Sequence, residues 1–306
     1  MTIAGNSSSS NGISCTFCGG EATILLTTPD RNRRVSNKQF TYWRCRLCEL
    51  VFLADPPEGL GEYYPQVYYE LPSLQKLECD AVSSRYKIEM TQRFVSSGRL
   101  LEIGAASGSF SFGAKRAGFE VHAIEMDRGC CDYLRRVVGV NAIQSDAPHE
   151  ILPTLPPNDV IAMWHVLEHL PRPWACLEAA AANLSRGGVL LIATPNPSAL
   201  QFRILRAQWP HVDAPRHLFV IPYRLLSRFM ASLGLELVML TTTDKGARGW
   251  NRFGWQRYFM NHFKKSLAQK LAFLIGSAVS IPLALWEGRE LNGSAYTAVF
   301  RKRLEP

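Results

Sequence analysis

The stretch "LLEIGAASGSF", residues 100–110, predicts the type of fold. It reads as a buried strand, a turn and the start of a helix, which is the order of elements in a parallel α/β sheet. A loop that cradles a dinucleotide pyrophosphate needs three glycines, but Ala106 and Ser109 stand at two of those positions. Gly104 and Gly108 remain. The loop therefore favours a nucleoside cofactor that carries no pyrophosphate.

Short apolar runs alternate with amphipathic stretches on both sides of this loop. Seven strands are predicted: 99–103, 120–125, 140–143, 159–164, 187–193, 235–241 and 294–301. The predicted helices are 81–96, 109–117, 129–137, 173–184 and 222–233.

Three acidic residues at strand ends are candidate cofactor ligands. Glu102 ends the first strand, and Glu125 ends the second, where a carboxylate can accept both hydroxyls of a ribose. Asp146, after the third strand, is placed to meet an adenine amino group. The alternative for Glu125 and for Asp146 is a solvated surface acid.

Two C-x2-C turns, "CTFC" and "CRLC", supply Cys15, Cys18, Cys45 and Cys48. Each turn points two thiolates at one centre, and two turns complete the tetrahedral ligand set of Zn²⁺. Four sulfur ligands leave no open coordination position. The spacing therefore predicts a structural zinc ribbon.

The segments "EIGAASG", "WHVLEHL", "RGGVLLIATPNP" and "DAPRHLF" together resemble the class I S-adenosylmethionine-dependent methyltransferases, and in particular a bacterial subgroup with an N-terminal zinc ribbon. The similarity covers about residues 15–240. It implies an α/β fold: a doubly wound, seven-stranded Rossmann-like methyltransferase sheet with an antiparallel last strand, an N-terminal zinc ribbon and a helical C-terminal insertion. It also implies S-adenosylmethionine as cofactor. The cofactor residues are then Glu102, Gly104, Ala106, Gly108, Glu125, Asp146 and His165.

The resemblance further implies that the segment after the fourth strand borders the transferred methyl group. His165, Glu168 and His169 are therefore candidate catalytic residues, and His165 is also expected to line the cofactor. For His169 the alternative is a capping role before the next helix.

The segment "WPHVDAPRHLF", residues 209–219, is expected to lie over the mouth of the site in this fold. His217 is similar in placement to a histidine proposed as the base in zinc-ribbon sugar C-methyltransferases. Arg216 is a candidate to bind a carboxylate or phosphate of the substrate. The alternative is that Asp213, Arg216 and His217 only fix this segment to the domain.

The C-terminal third of the chain carries its basic character. Residues 201–306 contain 16 Lys/Arg and 6 Asp/Glu, whereas residues 1–200 contain 18 and 20. Residues 246–270 mix six basic residues with aromatic ones. Residues 271–286 are uncharged, but we expect them to be too short and too broken by Pro282 to span a bilayer. This pattern suits peripheral membrane contact through 246–286, a cover helix or a dimer contact; an RNA surface is less favoured.

The predicted organisation has four parts: a disordered tail (1–14), the zinc ribbon (15–55), a connector (56–80), and a methyltransferase domain (81–306) with a basic and apolar helical insertion at 246–290. The tail lacks the features of a secretory signal, so we expect a cytoplasmic protein, with the inner face of the membrane as an alternative.

The leading functional expectation is methyl transfer to oxygen or carbon of a small or lipid-linked acceptor such as a sugar, polysaccharide or secondary-metabolite intermediate. The alternatives are a zinc-finger rRNA or tRNA methyltransferase and a non-catalytic zinc-ribbon binding module.

Overall fold

The computed structural model describes residues 12–64, 70–289 and 291–304. Its strands are β1 (Ile13–Ser14), β2 (Glu21–Pro29), β3 (Gln39–Cys45), β4 (Val51–Leu53), β5 (Gly98–Ile103), β6 (Phe119–Glu125), β7 (Asn141–Gln144), β8 (Asn158–Trp164), β9 (Leu184–Pro195), β10 (Phe219–Val220), β11 (Leu235–Thr241) and β12 (Ala295–Lys302). Its helices are α1 (Leu74–Ser83), α2 (Arg85–Gln92), α3 (Ser109–Arg116), α4 (Arg128–Tyr133), α5 (Pro148–Ile151), α6 (Pro173–Asn183), α7 (Leu200–Leu205), α8 (Tyr223–Ser232), α9 (Lys245–Met260) and α10 (Ser266–Glu287).

A seven-stranded sheet forms the centre of the molecule, in the order β11-β12-β9-β8-β5-β6-β7. Strand β5 pairs in parallel with β6 and β8, which in turn pair in parallel with β7 and β9. Strand β12 runs antiparallel to both of its neighbours, β9 and β11. The order reverses beside β5, because β6 lies on one side of β5 and β8 on the other. The predicted doubly wound sheet with an antiparallel last strand is therefore confirmed.

The central strands are apolar on both faces because helices cover both sides of the sheet. In β5, Leu101 and Ile103 pack into one cluster of buried side chains, and Leu100 packs into the opposite one. Strands β8 and β9 alternate in the same way. This double burial explains why these strands appear in the sequence as unbroken apolar runs.

The ribbon strands β1 to β4 form a second sheet, which β10 completes from within the methyltransferase domain. Phe219 pairs with Phe52 and Val220 with Val51. Because β10 adds a strand to its edge, the ribbon shares a sheet with the main domain. Ile13 and Ser14, which we assigned to the tail, pair with Ala22 and Glu21 as β1. Residues 1–11 of the predicted tail lie outside the described residues.

The helix predicted over 81–96 is two helices, α1 and α2, which meet at Ser84. Helix α1 begins inside the predicted connector, because the Ser73 hydroxyl accepts a hydrogen bond from the backbone N–H of Lys76 at 3.3 Å and caps it. The connector residues 65–69 lie outside the described residues.

The predicted helical insertion consists of α9 and α10, which pack against each other and are named the helical hairpin below. Helix α10 continues through Pro282 for 22 residues, so the expected break does not occur. By length and composition alone it is able to cross a membrane, with a mean hydropathy of 1.5 over an 18-residue window. Core helices of soluble proteins pass the same test, but only 17% of this window is buried.

Candidate functional site

The glycine loop between β5 and α3 requires glycine at both ends. Gly104 has φ +72° and Gly108 has φ +74°, where a side chain is strained. A Cβ at Gly104 would lie 2.4 Å from Val166 Cγ2, and one at Gly108 would lie 2.5 Å from Leu134 Cδ2. Ala106 adopts φ +47° between them without being glycine. The positive φ angles and the close packing beneath the loop therefore explain why Gly104 and Gly108 are glycine.

Glu125 lies at the carboxyl end of β6 beside this loop and is 2% exposed. Its Oε2 accepts the backbone N–H of Ala106 at 2.8 Å, and its Oε1 accepts that of Asp127 at 2.9 Å. Burial raises the pKa of this carboxyl, and the backbone hydrogen bonds oppose that rise. The reading of Glu125 as a solvated surface acid is wrong.

Glu102 points beneath the loop. Its Oε2 accepts both the backbone N–H of Ser111 at 3.1 Å and the Ser111 hydroxyl at 2.5 Å. Burial raises the pKa of Glu102 to about 7, against the lowering effects of Ser111 and of Lys87. It holds the first turn of α3 in place. Asp146 is exposed after β7, and its proposed contact with adenine stays a prediction.

All four predicted catalytic residues meet at the carboxyl end of β8. His165 follows that strand with φ +59°, and its Nδ1 lies 3.4 Å from Glu168 Oε1. Glu168 is fully buried, and its Oε2 accepts the Thr194 hydroxyl at 3.0 Å. The rings of His169 and His217 lie 4.5 Å apart in an edge-to-face arrangement. One ligand atom each from Glu168, His169 and His217 lies within 4.8 Å of the others.

The pKa values in this cluster separate the roles of two groups. Burial alone would raise the pKa of Glu168, but the hydrogen bond to His165 and the charges of the three histidines lower it to about 2. Burial lowers the pKa of His169 to about 4, and His217 adds to that effect. At neutral pH Glu168 is therefore an anion and His169 a neutral imidazole.

Backbone carbonyl groups orient the rings of His169 and His217. His217 Nδ1 lies 2.8 Å from the His211 carbonyl oxygen, and His169 Nδ1 lies 3.0 Å from that of Arg216. A carbonyl oxygen only accepts hydrogen bonds, so each Nδ1 carries the proton and each Nε2 keeps its lone pair. His169 therefore does not cap the following helix.

The prediction that Arg216 binds substrate is wrong. Its side chain is completely buried between two carboxylates, with Nη2 2.8 Å from Asp30 and 2.7 Å from Asp213. Its Nε also donates to Asp213, and Nη1 donates to Asp30 and to the Tyr63 carbonyl oxygen. All five donors are engaged within the protein, so none is left for a ligand. The structure agrees with the alternative for Arg216, in which this residue fixes the segment 209–219 to the rest of the protein.

Three residues that complete the cluster were not among the predicted site residues. Thr194, at the end of β9, binds Glu168 as described above. The Trp250 ring of α9 lies 4.5 Å from the His165 ring, and the Tyr64 hydroxyl lies 3.1 Å from His169 Nδ1. The "TPNP" run after an apolar strand was a usable signal for Thr194. No local pattern indicated Trp250 or Tyr64, because both come from distant segments.

The four ribbon cysteines form a compact cluster at the end of the ribbon sheet. The Sγ atoms of Cys15 and Cys48 are 3.7 Å apart, and those of Cys18 and Cys45 are 3.5 Å apart. A tetrahedral Zn²⁺ with Zn–S bonds of about 2.3 Å places its sulfurs about 3.8 Å apart. The cluster therefore fits a structural zinc ion.

Comparison with known proteins places the domain in a family. A family model described as "Methyltransferase domain" matches residues 79–240. A ubiquinone biosynthesis O-methyltransferase of Xylella fastidiosa (strain M23) is 30% identical over 139 residues, which are 44% of this chain and 54% of that protein. One from Azoarcus sp. (strain BH72) is 28% identical over 155 residues, 47% and 66% of the two chains.

The chain thus spans about half of the first relative and less than two thirds of the second. Among solved structures, a SAM dependent methyltransferase from Archaeoglobus fulgidus superposes with a TM-score of 0.50 at 19% identity, covering 75% of this chain and 95% of that one. At this identity the superposition supports the fold alone. Together with the family match and the strand order, it shows that the chain belongs to the class I S-adenosylmethionine-dependent methyltransferase family.

Proposed function

We propose that this protein transfers a methyl group from S-adenosylmethionine to a hydroxyl oxygen of a small, lipid-linked acceptor at a membrane surface. The observation that carries the proposal is the contact between His165 and Glu168 beside the glycine loop. Val166, the next residue after His165, packs on Gly104, so the imidazole and the loop share one edge of the sheet. The similarity to O-methyltransferases of ubiquinone biosynthesis favours oxygen over carbon.

The residues around the loop fit an adenosyl group. The Glu125 oxygens accept the backbone N–H groups of Ala106 and Asp127, and a carboxylate has about four acceptor sites, so it keeps capacity to accept a ribose hydroxyl. When bound, the cofactor supplies a methyl group on a positively charged sulfur that leaves without acid assistance.

His165 would remove the proton from the acceptor hydroxyl. A proton on Nδ1, facing Glu168, leaves the Nε2 lone pair available as the base, and the Glu168 anion stabilises the imidazolium that forms. The His165 side chain is 22% exposed, whereas His217 is buried with its Nδ1 tied to the backbone. We therefore assign the base to His165 rather than to His217.

The surface of the helical hairpin supports a lipid-linked acceptor. Helix α10 contacts α9 through small residues four positions apart, Ala272, Gly276 and Ser280. A Cβ at Gly276 would lie 2.5 Å from Gln256 Cα, so the two helices approach closely there. Large apolar side chains occupy the outer face, between 41% and 81% exposed: Leu267, Leu271, Phe273, Leu274, Ile275, Ile281, Leu285 and Trp286.

The same hairpin carries exposed basic side chains. Lys264, Lys265 and Lys270 are exposed near the start of α10, and Arg248 and Arg252 are exposed on α9. An apolar helix face with adjacent cations suits the interface of an anionic bilayer. Helix α9 also carries Trp250, whose ring packs on His165. The same hairpin therefore links the membrane-facing surface to the reaction centre.

A transfer assay tests the proposal. Purified protein and methyl-labelled cofactor are incubated with a lipid extract and, separately, with an aqueous extract, and label in each is counted. We expect label in the lipid fraction, and a turnover about 10²- to 10⁴-fold lower for His165→Gln with cofactor affinity nearly unchanged. His262→Gln, an exposed histidine at the end of α9, is the matched control. Label confined to the aqueous fraction, or full turnover in His165→Gln, would contradict the proposal.

A further inference from the structure

We propose that Glu168, His169 and His217 form a second metal site, distinct from the four ribbon cysteines, for a divalent transition metal of the zinc type. The three residues offer two imidazole nitrogens and one carboxylate oxygen, the ligand set of zinc sites that keep an open coordination position. The ribbon site, in contrast, offers four sulfurs and no open position.

The first observation is the orientation of the two rings. Each Nδ1 donates its hydrogen to a backbone carbonyl oxygen, that of His211 for His217 and that of Arg216 for His169. Histidines that bind metals commonly donate their other ring N–H in this way, which fixes the ring and its tautomer. Among the described residues, no hydrogen bond engages the Nε2 atom of either ring. Both lone pairs are therefore available within one cluster.

The second observation is a weakly satisfied carboxylate oxygen. Glu168 is fully buried, and the Thr194 hydroxyl satisfies its Oε2, whereas within the described part of the chain Oε1 has only the long contact with His165. A buried carboxylate oxygen with so weak a partner is costly, and a cation is the partner that its charge favours. The 3.4 Å contact with His165 Nδ1 does not exclude a metal, since the oxygen has two lone pairs.

The three ligand atoms would have to move slightly closer together to bind one metal ion. The three ligand atoms lie within 4.8 Å of one another, and metal bonds of about 2.0–2.2 Å would draw them to about 3.5 Å. The ribbon helps to fix the backbone of the ligand His217, because the Tyr42 hydroxyl donates to the His217 carbonyl oxygen at 2.7 Å. The open position would take a water or hydroxyl oxygen.

Metal uptake tests this site without reference to methyl transfer, so its failure is distinguishable from failure of the proposed function. Protein that carries its ribbon zinc is titrated with further Zn²⁺, and bound metal per chain is measured by mass spectrometry. We expect the wild type to bind one equivalent more than His169→Gln and His217→Gln, with His262→Gln behaving as wild type. Thr194→Val should weaken this equivalent about 10- to 100-fold, because Thr194 orients Glu168.

Titration with Co²⁺ keeps the proposal testable if a histidine variant does not fold, as judged by circular dichroism. Cobalt at the ribbon gives a sulfur-to-metal charge-transfer band, whereas cobalt bound by nitrogen and oxygen does not. We expect wild-type protein to gain visible absorbance after that band has saturated. Saturation of all absorbance with the ribbon, or a second equivalent that persists in both histidine variants, would overturn the proposal.

Discussion

The zinc ribbon and the helical hairpin both contact the reaction centre, but they are attached to the domain in different ways. The ribbon contributes a strand edge to β10, a buried ion pair between Asp30 and Arg216, and the Tyr42 hydroxyl that binds the His217 carbonyl oxygen. The hairpin packs through α9 and leaves the outer face of α10 exposed. The ribbon is therefore joined to the domain by buried contacts, whereas the hairpin exposes an apolar surface.

This difference indicates what each region does for the site. Separating a buried ion pair costs free energy, so the ribbon stays in a single arrangement and holds the segment that carries His217 in place. Exposed leucines contribute little to folding, and a surface of this kind serves contact with something outside the chain.

Removing the ribbon zinc should have the largest effect on stability. Cys48→Ser takes away one of the four ligands, and structural zinc sites contribute on the order of 10 kcal/mol of binding free energy to folding. We expect a much lower melting temperature and rapid proteolysis of residues 15–55. Cys79→Ser, at an exposed cysteine of α1, is the control and should melt as the wild type does. Equal melting of both variants would show that the ribbon does not depend on metal.

Arg216→Met should destabilise the protein by about 3–5 kcal/mol, because it leaves Asp30 and Asp213 buried without their cation. The free energy of unfolding in urea measures this effect. Arg252→Met, at an exposed position of α9, should change it by no more than about 0.5 kcal/mol. Similar losses in both variants would contradict the comparison between the two regions.

The Arg216 effect should also depend on pH. Burial alone would raise the pKa values of Asp30 and Asp213, but Arg216 lowers both below the ordinary 3.8. Their contribution is therefore present above pH 3.8 and is lost as the pH falls through the lowered native values. The difference in stability between wild type and Arg216→Met should shrink at acid pH, and a constant difference would exclude the ion pairs as its cause.

Changes on the outer face of α10 should have the smallest effect on stability. Leu271→Gln and Leu274→Gln together should alter the free energy of unfolding by less than about 1 kcal/mol, because these side chains are 61% and 62% exposed. Flotation with anionic liposomes should nevertheless fall at least about tenfold, since each leucine loses roughly 1.5–3 kcal/mol of burial in lipid. Leu47→Gln, at a ribbon leucine that is 72% exposed, is the matched control and should float as the wild type does.

Patterns within one segment predicted much of the fold and part of the site. The alternation of apolar runs and amphipathic stretches predicted the seven-stranded sheet, because a strand buried on both faces must be apolar along its whole length. The cysteine spacing predicted the ribbon, because a C-x2-C turn is itself a local structure. The break at Ser84 and the continuity of α10 through Pro282 were not predicted, because neighbouring elements decide whether a helix ends there.

The amino-acid sequence alone identifies the residues that have the chemistry of a site: the glycine loop, the acid of β6, the cysteine pairs and the histidines near β8. Their roles depend on the contacts that form in the folded chain. Arg216 became an internal ion-pair partner and Glu102 a brace for α3, because burial and nearby opposite charges come from segments far apart in the chain. The meeting of Glu168, His169 and His217 likewise depends on the ribbon and on β9, which no local pattern encodes.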